Sequence, residues 1–76
     1  MTYQVDVPDL HKALDELGRI HERQAQVVTA RFFGGMPWNE IGIYLGVSTG
    51  TAEKDWQAAR AWLYARLKGN NNDNNT

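Results

Sequence analysis

Glycines divide this chain into segments that are each long enough for a single helix, and this division constrains the fold more than any other feature. The pair Gly34-Gly35 is the firmest stop, because glycine loses the most backbone entropy in a helix and tolerates the left-handed turn that ends one. Gly18, Gly46 and Gly69 mark the other expected helix ends. Between these stops, apolar residues recur at helical spacing. The chain is therefore predicted to be an all-α domain of four helices.

The expected helices begin at residues that suit a helix start. Pro8-Asp9 opens the first helix, and the second covers about residues 21–33. Pro37 suits the first turn of the third helix, because its missing N–H would be unpaired there anyway. The Ser48 hydroxyl can cap the fourth helix.

The length and composition limit the class of protein. A length of 76 residues allows one domain, and we expect a flexible lead over residues 1–8, the folded domain over 9–68 and a disordered asparagine-rich tail over 69–76. The chain has no cysteine, which excludes a disulfide or a thiolate metal site. It has no run of 18 apolar residues, as a membrane-spanning helix needs. We expect a cytoplasmic protein.

The titratable residues form no arrangement that catalysis or metal binding requires. The sequence contains no nucleophile–base pair, no glycine loop for phosphates and no cluster of metal ligands. His11 and His21 are too far apart to bind one metal ion from a helix. The sequence therefore predicts neither an enzyme nor a cofactor. The net charge of −1 argues neither for nor against a nucleic-acid partner, although many DNA-binding domains are strongly basic.

The most informative segment is the turn at residues 46–48. A short helix, a three-residue turn containing glycine and a longer helix with a polar cap form the layout of a helix-turn-helix. In such a unit the second helix lies in the major groove of DNA and the first helix braces it. Ile41, Leu45 and Val47 supply apolar groups for the brace, and Gly42 allows close approach of the two helices.

The two faces of the fourth helix follow from a turn of about 100° per residue. Its core face holds Ala52, Trp56, Ala59 and Leu63, and Trp62 on the flank is expected to cover the first helix. On the opposite side, Gln57 can read adenine and Lys54 can reach guanine or a phosphate. Free N–H groups at the helix start favour a phosphate. The candidate DNA contacts are Ser48, Thr49, Thr51, Glu53, Lys54, Gln57 and Ala58.

Four segments, in their order and spacing, resemble region 4 of the sigma-70 family of RNA polymerase sigma factors. They are His21-Glu-Arg-Gln, Arg31-Phe-Phe-Gly-Gly-Met, Asn39-Glu-Ile-Gly and Leu45-Gly-Val-Ser-Thr-Gly-Thr-Ala. A fifth, Lys54-Asp-Trp-Gln-Ala-Ala-Arg-Ala-Trp-Leu, is similar to the ending of one branch of extracytoplasmic-function (ECF) sigma factors. The resemblance covers roughly residues 9–68.

The resemblance implies a fold, a function and partners. The fold would be a helix-turn-helix of the winged-helix-like superfamily without a wing. The domain would read the minus-35 element of double-stranded promoter DNA while docked on the β flap of RNA polymerase. Region 4 domains are also targets of anti-sigma factors, and we expect a monomer. Because region 2 is absent, the chain is expected to be either a fragment of a longer sigma factor or a stand-alone relative.

Several positions depart from the family pattern. Pro37 stands where Ser or Thr is usual, and Ile43 occupies a position that is commonly polar. Together with Trp38, Ile43 is therefore a candidate partner contact. Glu53 and Gln57 stand where the family usually has basic residues, which weakens the electrostatic term in DNA affinity.

Two alternative functions stay open on the sequence. One is the helix-turn-helix output domain of another transcription regulator, such as a response-regulator-type activator. The other is a region 4 relative that does not bind DNA and acts as a protein-interaction module.

Overall fold

The computed structural model describes residues 7–72, and this part of the chain consists of helices and turns without a strand. Helix α1 covers Val7–Ile20, and α2 covers Glu22–Val28 and continues as a π-helical turn over Thr29–Phe33. Helix α3 covers Trp38–Leu45, and α4 covers Thr49–Asn72. The predicted all-α fold with four helices is confirmed for these residues.

Two helix boundaries that precede α4 differ from the sequence prediction. Helix α1 passes through Gly18 and ends at Ile20, because the backbone leaves helical geometry at His21, with φ −139° and ψ 84°. Gly18 instead faces Ala25 of α2, where an added Cβ would lie 3.6 Å from the Ala25 Cβ. Pro37 was expected in the first turn of α3, but it precedes the helix as an extended residue with ψ 153°.

The end of α4 also differs from the prediction. The helix was expected to stop before Gly69, and it continues to Asn72. Adding residues to an existing helix costs less than starting a new one, so one glycine does not end a helix of this length. Residues 1–6 and 73–76 lie outside the described residues. The division into a lead, a domain and a tail therefore stays a prediction.

The stop at Gly34-Gly35 is confirmed, and its geometry explains both glycines. The N–H of Gly34 donates to the carbonyl of Thr29 at 3.0 Å, which closes the π-helical turn. A Cβ at Gly34 would lie 2.8 Å from the backbone oxygen of Ala30, closer than real Cβ atoms come. Gly35 has φ +62°, in the left-handed region that glycine tolerates.

Two apolar clusters form the core, and α4 contributes to both. The first cluster joins α1, α2 and the later turns of α4: Ala13, Leu17, Val28, Ala59, Leu63 and Leu67. The second joins α2, the π-helical turn, α3 and the first turns of α4: Val27, Ala30, Ile41 and Ala52. Trp56 packs against both clusters, and Trp62 packs against the first, which includes Ala13 and Leu17 of α1. None of the helices between residues 7 and 72 is long and apolar enough to span a membrane.

Candidate nucleic-acid interface

The turn between α3 and α4 depends on the absence of a side chain at Gly42. The N–H of Val47 donates to the carbonyl of Gly42 at 2.9 Å, and α3 ends at Gly46 with φ 72° and ψ 33°. A Cβ at Gly42 would lie 2.7 Å from the Val47 carbonyl oxygen. The turn therefore folds directly onto the backbone of α3. The predicted helix-turn-helix and the close approach at Gly42 are both confirmed.

Helix α3 braces α4 as the sequence predicted. Ile41 is fully buried, and the half-buried Leu45 and Val47 pack against the same cluster. On the side of α4, Ala52 is fully buried in this contact. The brace holds the first turns of α4 at the surface of the domain.

Ser48 caps α4, and the cap involves Thr51. The Thr51 N–H donates to the Ser48 Oγ at 3.1 Å, and the Ser48 hydroxyl donates to the Thr51 Oγ1 at 3.0 Å. Thr51 is half-buried, whereas Ser48 and Thr49 are exposed. The predicted cap is confirmed. It leaves Ser48 and Thr49 as the more accessible candidates for a phosphate at this helix start.

The remaining candidate contacts share one exposed side of α4. Glu53, Lys54, Gln57 and Ala58 are all exposed and lie away from the buried face that holds Ala52 and Ala59. The helix-turn-helix therefore presents these four side chains on its outer surface. Their contact with DNA stays a prediction.

Asp55 is a structural residue that the sequence reasoning missed. It is 8% exposed, and its carboxylate pairs with Arg23 of α2, with Nε–Oδ2 at 2.5 Å and Nη2–Oδ1 at 3.4 Å. The hydrogen bond to Asp55, followed by its negative charge, raises the pKa of the Arg23 guanidinium. A signal was present in the sequence: Asp55 lies between Ala52 and Ala59 at helical spacing, and a buried carboxylate needs a partner.

The exposed charges of the interface are mixed in sign. Lys54 and Arg60 are exposed cations of α4, and Glu53 is an exposed anion beside them. Arg31 lies farther inside the domain, where its guanidinium stacks 4.8 Å from the centre of the Trp38 ring and donates to the Met36 carbonyl at 3.1 Å. The surface thus offers few cations to phosphates.

The two candidate partner contacts differ in exposure. Ile43 is 81% exposed, and its neighbour Tyr44 is 66% exposed. Trp38 is half-buried, and its ring meets Trp56 edge-on with centroids 6.0 Å apart. Ile43 is therefore free to contact a partner, whereas Trp38 contributes to the contact between α3 and α4.

An apolar groove of about 570 Å³ runs along α4 on the side of α1 and α2. Phe32 and Tyr64, which are 62% and 60% exposed, form its rims. Arg60 is the charged side chain among the described residues that line it. Within residues 7–72, no group of His, Cys, Asp or Glu could hold a metal ion. The sequence reasoning did not find this groove, because it forms between helices that are distant along the chain.

Comparison with known families agrees with this geometry. The model of a family described as ECF sigma factor matches residues 2–69 of the 76-residue chain. No curated protein and no solved structure matches the chain.

Proposed function

This chain belongs to the ECF sigma factor family, and on that premise we propose that it recognises the minus-35 element of promoters through α4 while docked on the β flap of RNA polymerase. The family acts in transcription initiation, with RNA polymerase and promoter DNA as partners. It is a family of transcription regulators. We place its action in the cytoplasm, where the polymerase works.

The observation that carries the proposal is the helix-turn-helix with an exposed recognition side. Contact between the Gly42 backbone and the turn fixes the start of α4 close against α3. The side chains of Lys54 and Gln57 then project from the second and third turns of α4, near the helix start, and it is the N-terminal part of the second helix that meets base edges in such units. Gln57 reads adenine in this proposal, and Lys54 binds guanine or a phosphate.

The affinity of the isolated chain for DNA is expected to be low. Few cations face the phosphates, so we expect dissociation constants on the order of 10⁻⁶ to 10⁻⁴ M and a steep dependence on salt. Docking on polymerase raises the effective concentration of α4 at the promoter and offsets this weakness. Ile43 is our candidate for the docking contact, because it is an apolar side chain left in solvent.

The protein-interaction module is the second candidate function. The apolar groove beside Phe32 and Tyr64 favours it, because such a groove can take one face of a partner helix. Glu53 on the recognition side favours it as well, because a carboxylate there repels phosphates.

Binding of duplex DNA at low salt tests the main proposal. The probe is the duplex that the wild-type chain enriches from a randomised pool, measured by fluorescence anisotropy. Lys54→Ala should weaken binding and make the salt dependence shallower by about one unit. Lys12→Ala removes the same charge from the exposed side of α1 and serves as the matched control. Equal effects of the two variants would contradict recognition through α4.

Glu53→Lys distinguishes two roles for the carboxylate. If Glu53 accepts a hydrogen bond from a cytosine amino group, a contact of about 1–3 kcal/mol, the variant should gain general affinity and lose sequence preference. If Glu53 only repels phosphates, affinity should rise equally on all duplexes. No change in affinity or salt dependence on any duplex would favour the protein-interaction module.

Ile43→Lys tests the docking contact in a pull-down with RNA polymerase. Reduced capture with an unchanged circular dichroism spectrum is the expected result. Phe32→Lys, at the rim of the groove, is the comparison. Loss of capture in Phe32→Lys together with full capture in Ile43→Lys would move the docking site from α3 to the groove.

A further inference from the structure

The buried face of α4 changes in character along the helix. In the first turns, Ala52 is fully buried and the larger Trp56 stays partly exposed. Ala59 is also fully buried, but it lies in the same cluster as the leucines of the later turns. In the later turns, Leu63 and Leu67 are both 8% exposed. Leucine side chains interlock with neighbouring helices, whereas a methyl group allows close approach without resisting rotation or sliding. Among the buried apolar side chains of α4, those of the later turns therefore hold the helix more firmly than Ala52 does in the first turns, where the partly exposed Trp56 meets Trp38 of α3.

The first turns of α4, where the fully buried apolar residue is the small Ala52, also contain a hydrogen-bonded ion pair. The carboxylate of Asp55, whose side chain is 11% exposed, receives both a short and a longer hydrogen bond from Arg23 of α2. A two-bond pair between a guanidinium and a carboxylate has a defined geometry, which the apolar contact of a methyl group such as that of Ala52 lacks. The pair thus limits how far the start of α4 can rotate relative to α2.

We infer that the Arg23–Asp55 pair positions the recognition side of α4, and that both residues determine DNA sequence specificity without touching DNA. The inference rests on the proposed function. Asp55 directly follows Lys54 and is two residues before Gln57, so any rotation that separates Asp55 from Arg23 also moves both candidate base contacts. A rotation of about 20° displaces a side-chain tip that lies about 6 Å from the helix axis by about 2 Å. That displacement exceeds the roughly 0.5 Å range of hydrogen-bond distances.

The two partners carry opposite charges, which separates positioning from simple electrostatics. Arg23→Gln removes a cation and leaves the buried Asp55 carboxylate without this partner. Asp55→Asn removes an anion. If the residues acted through their charge alone, the first variant would weaken binding to all duplexes and the second would strengthen it. If the pair positions α4, both variants should instead lose their preference for the correct sequence.

The chain offers a matched control on the same helix. Glu16 of α1 pairs with Arg66 in the later turns of α4, at 2.7 Å and 2.9 Å. Glu16→Gln and Arg66→Gln change the charge as the test variants do, but they act where leucines already fix the helix. They are expected to lower the melting temperature and to leave sequence preference unchanged.

The test uses the full chain, the duplex that the wild-type chain enriches from a randomised pool and a scrambled duplex of equal length. Arg23→Gln and Asp55→Asn should each reduce the ratio of the two affinities by at least about fivefold, the lower end of what one bidentate base contact contributes. The two control variants should stay within about twofold of the wild type. Opposite shifts in affinity at a constant ratio would overturn the inference.

Amide hydrogen exchange, measured by NMR without DNA, separates this inference from the proposed function. Both test variants should speed exchange at residues 49–57 more than at residues 60–68, and Arg23→Lys, which keeps one donor, should give a smaller effect. A wild-type chain that prefers no duplex would contradict the proposed function. The exchange data would still test whether the Arg23–Asp55 pair positions the start of α4. If exchange in the two test variants became faster by the same factor along the whole of α4, or did not change, the inferred positioning role would be overturned.

Discussion

The first and the later turns of α4 are held to the rest of the domain by different means. The later turns are anchored by Leu63 and Leu67 in a cluster shared with α1 and α2. The first turns rest on Ala52, on the brace from α3 and on the ion pair of Asp55. One continuous helix thus combines an anchor, where large side chains pack in the core, with a first segment that small side chains and polar contacts hold and that carries the DNA contacts in our proposal.

The largest expected effect is at the anchor. Leu63→Ala removes a buried side chain from the first cluster, and truncations of this kind cost about 2–5 kcal/mol. A domain of this size has little stability in excess of that, so the variant should unfold at a much lower urea concentration than the wild type. Tyr64→Ala, at an exposed neighbouring position, is the control and should have a much smaller effect. Similar midpoints for the two variants would show that the later turns are not the anchor.

The next effect concerns the turn that sets the start of α4. Gly42→Ala places a Cβ 2.7 Å from the Val47 carbonyl oxygen, and overpacking of this kind costs about 1–3 kcal/mol. Gly50→Ala, where the nearest atom to an added Cβ is 4.0 Å away, should leave stability unchanged or raise it by up to about 1 kcal/mol. Thermal unfolding followed by circular dichroism measures both. A destabilised Gly50→Ala beside a neutral Gly42→Ala would contradict the close approach of turn and helix.

A smaller effect is expected at the cap. Ser48→Ala removes the acceptor of the Thr51 N–H and should cost about 1 kcal/mol. Amides in the first turn of α4 should then exchange faster, whereas amides near Leu63 and Leu67 should keep their protection. Equal loss of protection along the helix would mean that the two segments unfold together.

The smallest effect is the pH dependence of the pair between Glu16 and Arg66. The hydrogen bond from Arg66 lowers the pKa of Glu16 below its ordinary value of 4.5, against an opposing effect of desolvation. A carboxyl group with a lowered pKa in the folded state stabilises the protein above the pKa of the unfolded chain, and this contribution is lost as the pH falls through the folded pKa. The melting temperature of Glu16→Gln should therefore decrease less than that of the wild type when the pH falls below about 4.5.

Asp15→Asn is the control for the pH experiment. The carboxylate of Asp15 lies 3.9 Å from Arg19, and both side chains are 79% exposed. Solvent screens such a pair, so at neutral pH its removal should change the melting temperature less than Glu16→Gln does. If the melting temperatures of the wild type and of Glu16→Gln fell equally with pH below about 4.5, the pair of Glu16 and Arg66 would make no pH-dependent contribution to stability in this range.

Local patterns allowed much of the fold and part of the candidate site to be predicted. The spacing of apolar residues fixed four helices, since a helix buries residues three and four apart on one face. The stop at Gly34-Gly35, the cap at Ser48 and the close approach at Gly42 depend on the chemistry of one or two residues, and all three are present. The exposure of Lys54, Gln57 and Ile43 followed from the same periodicity.

The tertiary structure decided the features that join distant parts of the chain. The ion pair of Arg23 and Asp55 spans 32 residues, and no local pattern names the partner of a buried carboxylate. The groove beside Phe32 and the passage of α1 through Gly18 likewise depend on which helices meet. Helical periodicity states which face of a helix is buried. Packing alone determines which neighbour that face meets, and so in which direction α4 presents the side chains that we propose contact DNA.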